Sequence, residues 1–404
     1  MSRLTIKIPR LLWVGIYMYL LTAYLFASSS IGSILLIFEL AIILLADYSV
    51  RGKAIFCIRI EKLYVYLMIF IIACGLSILV AADKSLAISM LLALLKIFLS
   101  TAVIYNAVST ENSIDGLLKT VMAVGYTLVV VAIIYYGPSN VFTMIRAVNA
   151  RLNNDLINSN TLGMAAAMSI VINFYYILYE KVSMYSILVI PSILIIATSG
   201  SRKSLVLLVL GCFLILVLKN SDNKNFIKKF LKLVFVILLI GVVVFFASKL
   251  SVFNEINHRM QGLIAVITGV GEVDHSSWLR QQYIEMGLNA FKESPILGIG
   301  LDNARLMTRA IYGFDHYLHN NYVELLADTG LVGFCTYYVM YLYCIYNSIK
   351  LFKLHDRELY VCITILALLL IMDYGMVSYY VKETYFYLLI IFARISQIKR
   401  NSER

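Results

Sequence analysis

The sequence predicts an all-α integral membrane protein with about twelve transmembrane helices, and three observations predict it. Hydrophobic residues make up 61% and charged residues 14% of the 404, whereas a soluble domain carries about a quarter charged residues. Apolar runs of about 15–20 residues recur along the chain, too long and continuous for barrel strands. Short basic clusters separate these runs, as cytoplasmic loops do. Hydrocarbon offers no water to the backbone, so only helices or closed barrels satisfy every N–H and C=O there. The net charge of +11 belongs to those loops, and nucleic acid is not expected as a partner.

The elements follow in order. Residues 1–10 are short and basic and are assigned to the cytoplasm. Spans are expected at about 11–28 and 31–47, with no cleavable signal peptide because the first run lacks a small-residue cleavage site. Arg51, Lys53, Arg59 and Lys62 mark the next inner loop. Spans at about 63–82 and 86–108 enclose a small outer turn at Asp83-Lys84. A fifth span, about 116–136, leads to an outer loop carrying Arg146 and Arg151, and a sixth, about 161–179, returns to the inner turn at Glu180-Lys181. The seventh, about 184–198, exits at Thr198-Ser-Gly-Ser-Arg202-Lys203, and the eighth, about 204–218, re-enters to a lysine-rich loop. Span nine, about 233–248, opens into a polar extracytoplasmic insert, residues 249–329. Spans at about 330–349, 359–373 and 383–397 complete a single membrane domain over 1–404 with both ends inside.

Lys and Arg are more numerous on the inner side, as the positive-inside rule requires. The outer exceptions concentrate in three places: the loop after span five, the Arg202-Lys203 turn and the insert. Cations placed against the rule suggest an anionic ligand on the outer face. The plain alternative is a set of salt bridges to acids such as Glu285, Glu293 and Asp302.

Individual residues sharpen this. Arg202 follows small residues that would let a bulky ligand approach, and the start of span eight aims its amides and dipole at the same point. Arg280 lies in WLRQQYIEMGLNAF, whose Trp278, Leu279, Tyr283, Met286 and Phe291 predict an amphipathic helix on the membrane surface. Arg305 and Arg309 are four apart and share a face if helical. A guanidinium makes bidentate, permanently charged bonds that suit a diphosphate. His319 is the candidate base, since imidazole can take a hydroxyl proton near neutral pH. His258, His275 and His316 read as solvent-facing. His316 and His319 could form half a metal site, but no further ligands stand at a suitable spacing, so no metal or cofactor is expected. Gly298-Ile-Gly300 reads as a tight turn after Pro295. Asn158 and Asn160 suit a helix cap or a ligand contact. The six cysteines lie in or beside spans and imply no disulfide framework.

These pieces together resemble one family. They are Asn158-Ser-Asn160-Thr-Leu-Gly163, Thr198-Ser-Gly-Ser-Arg202-Lys203-Ser, and Arg280 with Ala290-Phe-Lys-Glu-Ser-Pro295-Ile-Leu-Gly298-Ile-Gly300. The last is His319-Asn320-Asn321-Tyr322 followed by Leu325 and Gly330-Leu-Val-Gly333. Over residues 155–335 the sequence is similar to the O-antigen ligase-like and O-antigen polymerase-like family of bacterial membrane glycosyltransferases.

The resemblance implies a GT-C-like architecture in the cytoplasmic (inner) membrane, with the active site on the extracytoplasmic face. It also implies an undecaprenyl-diphosphate-linked oligosaccharide as donor. By the same resemblance Arg202 and Arg280 hold the diphosphate and His319 activates the acceptor without a metal ion. Lys203, Asn158, Asn160, Arg305, Asn320 and Asn321 join the substrate-binding set. The expected reaction is polymerisation of lipid-linked repeat units, with transfer to lipid A core as the alternative. A chain-length regulator and a flippase of the same pathway are the expected protein partners. A twelve-helix transporter or flippase is the rival of another class; the chain shows no internal repeat and only a short inner loop between spans six and seven, which favours the enzyme.

Overall fold

The computed structural model describes residues 10–26, 29–51, 61–108, 113–146, 152, 156–219, 261, 268 and 275–402. Every extended element among them is helical. In chain order these are α1 (Arg10–Leu25), α2 (Ser30–Arg51), α3 (Lys62–Ser77), α4 (Lys84–Val108), α5 (Ser113–Tyr136) and α6 (Pro138–Arg146). Then come α7 (Ser159–Tyr179), α8 (Val189–Thr198), α9 (Arg202–Lys219), α10 (His275–Glu293) and α11 (Ala304–Tyr312). The chain ends with α12 (Asn321–Leu351), α13 (Arg357–Asp373) and α14 (Lys382–Ser402).

Among the described residues, six helices are long and apolar enough to cross a membrane: Ile31–Ser49, Lys62–Val80, Lys84–Val108, Ile114–Tyr136, Ser159–Tyr179 and Asn321–Leu354. Arg10–Leu25 and Met184–Thr198 are shorter apolar helices. Length and hydropathy therefore carry the expected count of spans to six among the described residues. The positions of α9, α13 and α14 match the expected eighth, eleventh and twelfth spans, while the ninth, 233–248, lies outside the described residues. One helix was not expected: α6, in the outer loop, begins at Pro138, where the fixed φ of proline suits a first helical turn.

Side-chain contacts sort the helix ends into two groups that agree with the alternation read from charge. At one end, the amide of Asp83 donates to Asn303 Oδ1 at 2.8 Å, Leu301 N–H donates to Ser77 Oγ, and Leu152 N–H donates to the Thr198 carbonyl. By the sequence reading, Asp83, Leu152, Leu301 and Asn303 lie in outer segments and Ser77 and Thr198 toward the outer ends of their spans. At the other end, Arg394 pairs with Asp356 and Glu358, Ser396 Oγ reaches Glu61, Tyr176 donates to Asp115 and Lys219 donates to the Leu178 carbonyl. These are all inner by that reading. Lys219 and His275 thus lie at opposite ends of the bundle.

The tenth expected span starts earlier than hydropathy suggests. Asn320 caps α12, its side chain accepting from Val323 N–H at 3.1 Å, so the helix begins nine residues before Gly330. Gly330, with φ 61° and ψ −162°, breaks the helix in its third turn. The break frees backbone groups that the 295–300 segment takes up. Ile299 N–H donates to Ala327 O at 2.8 Å and Gly300 N–H to Asp328 O at 3.0 Å; Leu331 and Val332 donate to Pro295 O and Ile296 O. Gly298-Ile-Gly300 is therefore the partner of a helix break and not only a turn.

Candidate functional site

The site is built from the Thr198–Arg202 turn, α10, the turn before α12, and the segment between α13 and α14. Ser199 Oγ accepts from Ser201 N–H at 3.2 Å and Ser201 Oγ from Ser204 N–H at 3.4 Å, which organises the first turn of α9. A Cβ at Gly163 would lie 2.5 Å from Ser204 Oγ and 2.7 Å from Ser199 Oγ. Glycine there lets α7 close on this turn, linking the Asn158–Gly163 and Thr198–Lys203 segments in space.

Arg202 is the first residue of α9 and is buried, with its Nη1 donating to Ser277 Oγ at 3.1 Å. Ser277 stands one turn before Arg280 on the same face of α10. The Lys203 stem runs along Gly375, with its Cε 3.2 Å from the point a Cβ would take.

His319 has φ 58°, a left-handed conformation that is uncommon for a residue with a Cβ. The turn is fixed on both sides: Leu318 N–H donates to Glu324 Oε2 at 2.5 Å and Asn320 caps α12. The imidazole lies parallel to the Tyr283 ring, with centroids 6.1 Å apart and planes at 14°. It stands 4.2 Å from Tyr317 and 4.7 Å from His316, centroid to centroid. Its Nδ1 is buried and makes no hydrogen bond. Burial first, then the positive charges of Arg280 and Lys203 and the neighbouring His316, push its pKa down to about 2. The ring is therefore neutral, and its charge neighbours are cations.

Four of the expected residues are thus brought together: His319, Arg280 and Lys203 directly, and Arg202 through Ser277. The others divide. Arg305 pairs with buried Asp302 at 2.6 Å and lies over the Tyr380 ring at 5.7 Å. Burial outweighs that arginine and raises the Asp302 pKa to about 6. Arg309 lies on the same helix but pairs with Asp315 in an exposed bridge. Asn158 is exposed and caps α7, accepting from Asn160 N–H at 3.0 Å; Asn160 is half-buried. Asn321 is fully buried and joins helices, accepting from Ser378 and Tyr379 N–H at 2.8 and 3.0 Å and donating to Tyr338 at 2.9 Å.

Two expectations change. His316 is half-buried against Tyr283 and His319 and does not face solvent. The buried stripe of α10, Tyr283 and Met286 among it, packs with Leu318, Val323 and Ala327, so it goes to protein, while Trp278 stays exposed. His258 and Arg151 lie outside the described residues.

Beside this cluster is a cavity of about 920 Å³. Arg305, Asn158, Tyr380 and Lys382 contribute polar groups, and Met90, Ile97, Met164, Met168, Leu207 and Leu369 supply apolar wall. Lys96, at the middle of α4, also lines it; an ionisable residue at that depth usually faces a cavity or pathway. Arg202, Arg280 and His319 are not among its lining residues, whereas Arg305 is.

Sequence reasoning missed Glu324 and Asp328, fully buried on α12, and did not connect them to Asp302. The readable signal was an i, i+4 carboxylate pair inside an otherwise apolar helix. It also missed Tyr283 and Tyr317, which flank the imidazole.

Comparison with known proteins covers much of this site. Residues 187–338 match the family described as O-antigen ligase, a range that holds Arg202, Lys203, Arg280, Arg305 and His319 but not Asn158 or Asn160. Over 235 residues, 54% of the chain, it is 27% identical to an uncharacterized protein of Haemophilus influenzae. That match takes in 57% of the relative, so the chain spans little more than half the length of the curated protein it resembles. Residues 187–338, which hold most of this site, are therefore similar to the O-antigen ligase family.

Proposed function

We propose that the chain transfers a glycan from a polyprenyl-diphosphate donor to an acceptor hydroxyl at the extracytoplasmic end of the bundle. The observation that carries this reading is the neutral His319, whose unpartnered Nδ1 lies among Arg280 and Lys203. Arg202, Arg280 and Lys203 hold the diphosphate, and the donor's lipid runs along the apolar wall of the neighbouring cavity. Nδ1 takes the proton from the acceptor oxygen as that oxygen forms its bond to C1. The bond from C1 to the diphosphate oxygen breaks, and the departing dianion gains charge against the arginines. Bonds that strengthen as charge develops lower the barrier and do not merely bind.

The depressed pKa fits this order of events. Burial first, and the neighbouring cations second, keep the imidazole neutral. A bound diphosphate cancels their field, raises the basicity of Nδ1 and thereby prepares it when the donor is present. Asn320 and Asn321, engaged in capping and helix joining, act by holding the His319 turn. A donor of this kind carries its own leaving group, so no nucleotide site is required.

Polymerisation of lipid-linked repeat units is the reading preferred here, and transfer to lipid A core is equally compatible with the family match. The acceptor decides between them. Purified protein given one undecaprenyl-diphosphate repeat unit should yield a ladder on a gel if it polymerises. Transfer that appears only when lipid A core is added marks a ligase. Absence of transfer under both conditions overturns the glycosyltransferase reading.

A further inference from the structure

Three carboxylates meet beneath the His319 turn. Asp302, Glu324 and Asp328 are each nearly or fully buried, at 2%, 0% and 0% exposure. One oxygen from each lies within 4.8 Å of the others. They come from three places in the chain: the segment before α11 and two successive turns of α12. Arg305 is the cation paired with the group, through Asp302. Three carboxylates and one guanidinium sum to −2 if all are ionised, in a place shielded from water.

Most of the remaining oxygens are occupied. Asp328 Oδ1 accepts from Ala304 N–H at 2.8 Å and Oδ2 from the Tyr379 hydroxyl at 3.2 Å. Glu324 Oε2 accepts from Leu318 N–H. Glu324 Oε1 is different: it is buried, makes no hydrogen bond, and belongs to a side chain whose carboxylate neighbours are Asp302 and Asp328. A buried carboxylate oxygen without a partner carries an uncompensated desolvation penalty.

We propose that Asp302, Glu324 and Asp328 bind one divalent cation, preferentially Ca²⁺, which holds the three segments of the site in register. An all-oxygen donor set selects a hard cation. Oxygens on opposite sides of Ca²⁺ stand up to about 5 Å apart, and on Mg²⁺ only about 4 Å. Oxygens all within 4.8 Å of one another can surround Ca²⁺, whose flexible coordination accepts an irregular carboxylate set where Mg²⁺ demands near-ideal octahedral geometry and keeps its waters. One divalent charge brings the cluster to neutrality and occupies the open side of Glu324 Oε1. Through Leu318 N–H, Ala304 N–H and Tyr379 the same carboxylates set the His319 turn, the start of α11 and the strand of chain before α14. The role is positional, and it stands independently of which glycan is transferred.

The test uses the full chain in nanodiscs after treatment with chelator. Radiolabelled Ca²⁺ binding and thermal unfolding are measured with Ca²⁺ and with Mg²⁺, for the wild type, Glu324→Gln, Asp302→Asn and the exposed control Glu293→Gln. The expected result is one Ca²⁺ per chain with a rise in Tm. Mg²⁺ should be the weaker ion, and both effects should disappear in Glu324→Gln and Asp302→Asn but persist in Glu293→Gln. If Glu324→Gln fails to fold, Asp302→Asn carries the comparison. No saturable Ca²⁺ binding by the wild type would overturn the proposal. So would undiminished binding in the two site variants, which would mean an adventitious ion only.

Discussion

Gly330→Ala should be among the most damaging single-methyl changes in this chain. The residue sits at φ 61°, ψ −162°, a region that side chains rarely enter and that costs about 1–3 kcal/mol. The added Cβ would stand 2.3 Å from the Ile296 carbonyl oxygen and 2.7 Å from Gly298 N. Both are backbone atoms, so the 295–300 segment must move by several tenths of an ångström or more. That segment holds the helix break through four hydrogen bonds, from Ile299, Gly300, Leu331 and Val332. Losing half of them, at about 1 kcal/mol net each, and adding the strain gives roughly 3–5 kcal/mol. The assay is thermal unfolding of wild type and variant in the same detergent, with glycosyl transfer measured on the folded fraction. A large fall in Tm with loss of transfer is expected. A Tm within a degree or two of wild type would refute the argument that the break needs glycine.

Other expectations test other parts of the account. Because the folded chain refuses a proton on His319 down to about pH 2, whereas an unfolded histidine takes one near 6.5, stability falls as pH drops through that window. The slope from this group is at most about 1.4 kcal/mol per pH unit, and His319→Gln should flatten the profile measured by denaturant unfolding. Pyrophosphate binding should be accompanied by proton uptake at mildly acid pH, seen calorimetrically in buffers of different ionisation enthalpy and absent in His319→Gln. Arg202→Lys keeps the charge but loses the fork and the bond to Ser277; transfer should fall roughly 10²–10³-fold with little change in Tm. Asn321→Ala leaves the buried amides of Ser378 and Tyr379 without an acceptor and should destabilise by roughly 2–4 kcal/mol. Arg309→Ala, which removes only an exposed pair, should leave both Tm and transfer unchanged.

Much of the bundle was legible in sequence because hydropathy and charge alternation are local signals. The limits of α3, α4, α5 and α7 follow the apolar runs, and the contacts of Asp83 with Asn303 and of Glu61 with Ser396 join ends that charge alone had put on the same side. What hydropathy could not give was the start of α12, which is set by the Asn320 cap and by polar residues that the cap makes helical. Nor could it give the helix break at Gly330, whose hydrogen bonds come from residues some thirty positions earlier. The grouping of Arg202 with Arg280 was expected only from the family resemblance; in the fold it arises from Ser277, one turn from Arg280. The carboxylates Glu324 and Asp328 went unread in the sequence, and their third member, Asp302, is contributed by a separate segment.

The most direct test of the central claim compares wild type with His319→Ala in one reaction. Each purified protein is given a defined undecaprenyl-diphosphate-linked repeat unit, with and without lipid A core, and products are resolved on a gel after confirming equal folding. The account predicts transfer by the wild type and its loss in the variant, with donor binding retained through Arg202, Arg280 and Lys203. Transfer that continues undiminished in His319→Ala would contradict the assignment of the base.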